Sequence, residues 1–176
     1  LTWAVLFFPY AHLPGLAADL GFGAVGGAAL LGAMGVGGAI GRLTIGTLSD
    51  WIGRKPALYL ALVFQTSACL AFPLTGSYPL LYAFAAIFGA GSGAGISLFP
   101  AIVGDAFGAR NVGAISGAIF AFSCSAGALG PYAASLIREA TGSYDLAFWI
   151  GAACNAAAIA LVSTLKSAAP APAPAR

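Results

Sequence analysis

Charge is what this sequence has least of. Aspartate, glutamate, lysine and arginine make up 7% of its 176 residues, against ~25% in an ordinary soluble domain. Seven basic and five acidic side chains cannot cover the exterior of a water-soluble domain of this length. A soluble globular fold is therefore excluded, and most of the exterior must face lipid. The net charge of +2 is too small to imply nucleic acid or an acidic partner. Thiol and imidazole chemistry is equally sparse. Cys69, Cys124 and Cys154 each lie deep in a different apolar run, with no second thiol or histidine at ligand spacing. They read as small core residues, and no metal site is expected. The first apolar run begins at Leu1 without a methionine, a charged leader or a small-residue cleavage site. The expectation is a piece of a longer protein with no signal peptide.

Apolar residues and glycine are abundant instead: 60% of the chain is hydrophobic, 25 residues are glycine and the mean hydropathy is +0.95. A helix crossing a ~30 Å hydrocarbon layer at ~1.5 Å per residue needs about 20 residues. Breaks at charge, glycine and proline divide the apolar text into six spans, near residues 1–20, 24–48, 57–74, 79–104, 112–137 and 144–165. Turn residues sit in the short links, as in Thr75-Gly76-Ser77-Tyr78-Pro79 and Thr141-Gly142-Ser143-Tyr144. Links this short make successive spans antiparallel neighbours. The predicted fold is an all-α polytopic membrane bundle over residues 1–166, followed by an extended Ala/Pro tail at 167–176.

Basic residues set the orientation. Arg54, Lys55, Arg110, Lys166 and Arg176 follow the even-numbered spans, whereas the opposite side has Arg138 alone, beside Glu139 and Asp145. Cytoplasmic loops hold the excess of Lys and Arg, so the even loops and the C-terminus are expected in the cytoplasm. Within the spans, small residues recur four apart, at Gly37 and Gly41, Gly89 and Gly93, Gly91 and Gly95, Gly113 and Gly117, and Ala126 and Gly130. Such pairs let two helix backbones approach closely. Pro9, Pro14, Pro100 and Pro131 also lie inside spans and remove backbone hydrogen bonds, the condition for a bend beside a cavity.

The most specific text joins spans two and three: Gly46-Thr47-Leu48-Ser49-Asp50-Trp51-Ile52-Gly53-Arg54-Lys55. Gly46 and Asp50 stand one helical turn apart on one face, Gly53 permits the reversal, and Arg54 and Lys55 reach the anionic inner leaflet. Asp50 has two partners within reach, Arg54 or the positive N-terminus of a neighbouring helix. This text resembles the signature loop of the major facilitator superfamily, whose fixed positions fall on Gly46, Asp50, Gly53, Arg54 and Lys55. The resemblance implies one six-span half of a twelve-span fold and a role for this loop in conformational change. Gly127-Ala128-Leu129-Gly130-Pro131, followed by Thr141-Gly142-Ser143-Tyr144 and Ala147-Phe148, resembles the eleventh and twelfth spans of monocarboxylate-porter and oxalate/formate-antiporter members. The chain is therefore expected to be the C-terminal half, with Gly130 and Pro131 as helix-packing residues and an N-terminal six-span half as partner.

Ionisable groups inside a span are costly and so become candidates for function. Arg42 lies eight residues before Asp50, about 12 Å deeper along the helix. Its guanidinium can fork onto a carboxylate. The monocarboxylate resemblance implies that it binds the substrate anion; the alternative is an arginine that snorkels to the surface. Phe122-Ser123-Cys124-Ser125 has no cation where oxalate-type members carry a lysine, which favours a monoanion over a dicarboxylate. His12 could exchange a proton near neutral pH. Tyr10, Ser123 and Ser125 are further candidates for substrate contact, whereas Gln65 and Asn155 read as structural.

The function expected from these features is alternating-access transport of a small solute, an organic anion such as a monocarboxylate, coupled to a proton or a counter-substrate. A drug, sugar or neutral metabolite is the alternative substrate, and a six-span channel or non-transporting membrane protein the alternative class. An intramembrane serine protease would need Gly-x-Ser-Gly and a histidine in a late span, and neither occurs. No cofactor fingerprint is present. The expected location is the bacterial inner (plasma) membrane.

Overall fold

The computed structural model describes residues 2–164. Six helices follow one another: α1 (Thr2–Asp19), α2 (Gly23–Ile52), α3 (Arg54–Ala71), α4 (Tyr78–Phe107), α5 (Val112–Thr141) and α6 (Asp145–Thr164), with single 3₁₀ turns at Phe72–Leu74 and Ala109–Asn111. In lipid no water is available to satisfy backbone N–H and C=O groups, so each apolar segment must satisfy its own, as a helix does. Among the described residues, five helices (α2 to α6) are long and apolar enough to cross a membrane. α1 is the exception: its 18 residues include Pro9, Tyr10, His12 and Pro14, which lower its hydropathy. Lys166, Arg176 and the tail at 167–176 lie outside the described residues.

Glycine ends α2. Gly53 sits at φ +94° and ψ 156°, a conformation open only to a residue without Cβ, and its N–H closes the last turn on the Ser49 carbonyl. Arg54 starts α3 at once, so α2 and α3 reverse within a single residue. This reversal, the 3₁₀ turn at Ala109–Asn111 and the end of α6 share one end of the bundle, because Arg54 reaches Asp105 on α4 and Lys55 donates to the Ser163 carbonyl on α6 at 3.1 Å. We call this the basic end.

Two seams hold the bundle. In the first, α2 and α4 pack backbone to backbone. A Cβ on Gly37 or Gly41 would fall on the Ala86 or Ala90 carbonyl, and one on Gly89 or Gly93 on the Met34 or Gly38 carbonyl. The second is aromatic. Phe8 of α1 meets Phe148 of α6 at 4.6 Å between ring centroids, Phe148 meets Phe72 at 5.1 Å, and Phe72 meets Phe88 of α4 at 6.4 Å. Between lipid-embedded helices, packing of this kind replaces the hydrophobic drive of water-soluble cores.

Two expectations need correction. Gly113 and Gly117 have the spacing of a packing face, but a Cβ at either meets nothing within 4 Å. Both lie on α5, whose membrane-spanning stretch is only 11% buried. Cys124 lies on the same helix and is exposed, so it is not a core residue; Cys69 is buried and Cys154 half-buried.

Candidate functional site

At the basic end the signature residues form one cluster. Arg54 pairs with Asp50 one turn earlier and donates from Nε to Asp105 Oδ2 at 3.0 Å. It also donates to the Ser49 hydroxyl, which in turn donates to the Gly46 carbonyl. One guanidinium thus staples the α2–α3 reversal to the end of α4. Gly46 faces α4, where a Cβ would lie 3.4 Å from the Ser97 hydroxyl, an ordinary contact. Neither ion pair is dry: Arg54 is 30% exposed, Asp50 57% and Asp105 45%. Pairs this wet contribute ~1 kcal/mol or less each, so the cluster can open and reform at little cost. Of the two partners open to Asp50, the structure takes Arg54.

Arg42 stands apart from that cluster. It is exposed on α2, between the fully packed Gly41 and the 73%-exposed Leu43. No hydrogen bond or ion pair holds it among the described residues. It does not line the cavity between α1, α3, α4 and α5, the groove between α1 and α5, or the pocket beside Arg138.

The other predicted contacts sort into three groups. Tyr10 of α1 and Ser92 of α4 share a hydrogen bond of 3.0 Å. Ser92 already donates to the Gly89 carbonyl, so Tyr10 is the donor. Tyr10 also borders an open groove of about 510 Å³ between α1 and α5, with Phe7, Cys124, Gly127 and Pro131. His12 faces α5 rather than that groove: its Nε2 lies 2.9 Å from the Pro131 carbonyl and its ring 5.1 Å from that of Tyr144. Ser123 is buried and lines a separate cavity between α1, α3, α4 and α5, while Ser125 is exposed and returns its hydroxyl to the Ala121 carbonyl. Gly130 lets α5 rest on the Ala4 carbonyl of α1. The structure therefore brings Tyr10, Pro131 and the face of α5 together, and leaves Arg42 on a different helix face.

The end opposite the basic end carries its own clamp. Arg138 donates from Nη2 to both carboxylate oxygens of Asp19 at 2.7 Å, from Nη1 to the Tyr144 hydroxyl at 3.1 Å, and lies 4.6 Å from the Tyr144 ring centroid. It ties the end of α1 to the end of α5.

Two residues here were not singled out as functional from the sequence. Asp105 is separated from Arg54 by 51 positions, and its only sequence signal is an acid at an end where basic residues predominate. Gln65 is buried with its Oε1 unpartnered, where the sequence reading had it as a structural support.

The all-helical architecture is consistent with the comparisons to known proteins. The family model of the Major Facilitator Superfamily matches residues 1–176. Among curated relatives, monocarboxylate transporter 12 of Xenopus laevis is 28% identical over 144 residues, covering 80% of this chain and 31% of that protein. Human monocarboxylate transporter 10 is 30% identical over 120 residues, covering 66% and 23%. The MFS transporter asaE of Aspergillus flavus is 33% identical over 107 residues, covering 59% and 24%. This chain thus spans a third or less of the length of these relatives. With its full length matched by the family model, the chain belongs to the Major Facilitator Superfamily.

Proposed function

We propose that this chain is the C-terminal six-helix half of an alternating-access transporter for a small organic anion of the monocarboxylate type, and that Arg42 is the cation that receives the carboxylate. The observation carrying this reading is that Arg42, two turns inside α2 from Asp50, has no internal partner among the described residues. A guanidinium in a membrane span is costly unless it is paired. A carboxylate that binds bidentately supplies the missing partner, and a water-poor cavity strengthens that contact. The printed names of two relatives, both monocarboxylate transporters, support the same substrate class. With no cation in the Phe122-Ser123-Cys124-Ser125 stretch of α5, a single carboxylate suits the site better than two.

In this reading the exposed faces of α2 and α5 turn towards a second half-bundle, and the substrate sits between the halves near the bilayer midplane. Tyr10 and Ser125 border the substrate path, and His12 carries a coupling proton if the partner is a proton rather than a counter-substrate. Ser123 reaches the substrate only after α1 and α5 separate. The Asp50–Arg54–Asp105 cluster holds one end of α2, α3 and α4 together in one state and loosens in the other. The basic end faces the cytoplasm, following the excess of Arg54, Lys55 and Arg110 there. A bacterial inner-membrane location draws no support from the relatives named above, which are eukaryotic. The chemistry is binding and release, with no bond made or broken in the solute.

Proteoliposome exchange of lactate, oxalate, glucose and alanine by the full-length protein tests this reading. Lactate exchange is expected in the wild type and a loss of at least 100-fold in Arg42→Gln, with partial recovery in Arg42→Lys. Asp50→Asn is expected to slow exchange without weakening apparent affinity. Unchanged lactate exchange in Arg42→Gln, or exchange of the neutral solutes alone, would reject the anion assignment. The six-helix segment by itself is expected to be inactive.

A further inference from the structure

The half-bundle contains a partly open space that does not include Arg42. Between α1, α3, α4 and α5, in the half nearer the basic end, lies a cavity of about 310 Å³. α1 and α4 close it on one side through the Tyr10–Ser92 hydrogen bond. On the side of α5, the rings of Trp3 and Phe99 both meet Phe120 edge to face at 5.1 Å between centroids. Its walls are mostly apolar, and no charged residue lines it. Four polar side chains line it: Thr2 of α1, Gln65 of α3, Ser92 of α4 and Ser123 of α5. Gln65 of α3 is 3% exposed, and its Oε1 accepts no hydrogen bond. Ser123 of α5 is 8% exposed and makes no hydrogen bond among the described residues.

The unpartnered Gln65 oxygen needs explaining, because a buried acceptor without a donor is costly. Neighbouring polar groups do not supply the donor. Ser92 gives its proton to the Gly89 carbonyl. Asn155 of α6 stands at the same level of the antiparallel α3–α6 pair, one turn from where Gly151 meets Cys69, yet both of its own amide atoms are also unpartnered. Glycine on α4 makes the room: a Cβ on Gly91 would lie 2.5 Å from the Ala61 carbonyl, and one on Gly95 3.7 Å from Gln65 Nε2.

We propose that this cavity is a binding site for a neutral, largely apolar small molecule carrying one N–H or O–H donor, which Gln65 Oε1 accepts while Trp3 and Phe99 flank an aromatic body. The absence of charge in the wall sets its ligands apart from the carboxylates assigned to Arg42. Mostly apolar walls also hold water poorly, so an aromatic body fills this space better than a water chain does.

Trp3 reports on the site directly. In a Trp51→Phe, Trp149→Phe background, which leaves Trp3 as the sole tryptophan, the chain in detergent is titrated with 4-phenylphenol and with its methyl ether, 4-methoxybiphenyl. Saturable change of Trp3 fluorescence is expected, at least tenfold tighter for the phenol than for the ether. Gln65→Leu is expected to erase that preference, and also to raise the melting temperature of the empty protein by removing the unpartnered acceptor. Gly95→Leu fills the cavity from α4, leaving the Gln65 residue itself unchanged, and is expected to abolish binding of both compounds. Arg42→Gln, although expected to lose lactate exchange, is expected to bind both biphenyls as the parent does. Equal affinity for phenol and ether, a preference that survives Gln65→Leu, binding that survives Gly95→Leu, or loss of binding in Arg42→Gln would each overturn the proposal.

Discussion

Two helix pairs of this half-bundle, α2–α4 and α1–α5, are built differently. α2 and α4 touch through reciprocal glycines, Gly37 and Gly41 on one and Gly89 and Gly93 on the other, each lying against a backbone carbonyl of the facing helix. α1 and α5 touch backbone to backbone at Gly130 and Ala4. At Gly127 the neighbour is instead the flexible Phe7 ring, 2.7 Å from where a Cβ would be. Beyond that they are joined by polar contacts, His12 to the Pro131 carbonyl and Arg138 to Asp19, and an open groove runs between them. A glycine seam has no side chain that can change rotamer, so it moves as one piece or not at all. Polar clamps at the surface can break and reform at a cost of ~1 kcal/mol. The α2–α4 pair is the fixed pillar on which Arg42 and the signature turn are mounted, and α1–α5 is the pair able to adjust.

Gly41→Ala should break this comparison with the largest effect. Its methyl would land on the Ala90 carbonyl, and backbone cannot step aside as a side chain can. A loss of ~3 kcal/mol or more is expected, at the top of the usual range for overpacking. Thermal unfolding followed by helical circular dichroism in detergent would measure it. A variant as stable as the wild type would show that the pillar gives way.

Arg138→Gln probes the adjustable pair. Arg138 and Asp19 are 38% and 43% exposed, so losing the bidentate pair should cost ~1 kcal/mol or less, and less still at high salt. A disulfide-trapping or spin-label distance between the ends of α1 and α5 should broaden in this variant while an α2–α4 distance stays fixed. Broadening of both distances would mean that the two pairs are not independent.

Gly117→Ala should have the smallest effect and the opposite sign. Nothing lies within 4 Å of the added methyl, so helix propensity alone favours it by up to ~1 kcal/mol in the isolated chain. Destabilisation there would mean that α5 is covered by a neighbour of the same chain.

This last contrast also shows what can be read from the sequence. The number and order of the helices follow from apolar runs bounded by glycine, proline and charge, because an uninterrupted apolar stretch in lipid has only one way to satisfy its backbone. The signature turn is legible because its residues are consecutive, and Gly53 is where the chain reverses. Four-residue glycine spacing identifies a small-residue face, but not what covers it. Gly37 and Gly41 meet α4, whereas Gly113 and Gly117, with the same spacing, meet nothing in this chain. Asp105 escapes notice because its partner Arg54 is 51 residues away and neither position predicts the other. Gln65 reads as a structural support by its span, and only the cavity beside it shows an unsatisfied oxygen. Polar pairing between helices depends on rotation about each helix axis, which local text does not specify.

The most direct test of the assignment of Arg42 is the thermal stability of the full-length protein in detergent, titrated with pyruvate for the wild type and for Arg42→Gln. A ligand stabilises the state it binds by RT ln(1 + [L]/Kd), so a rising melting temperature reports occupancy without requiring transport. Pyruvate should raise the melting temperature of the wild type and leave that of Arg42→Gln unchanged, with both variants melting alike in its absence. Equal stabilisation of the two proteins by pyruvate would contradict Arg42 as the anion-binding residue.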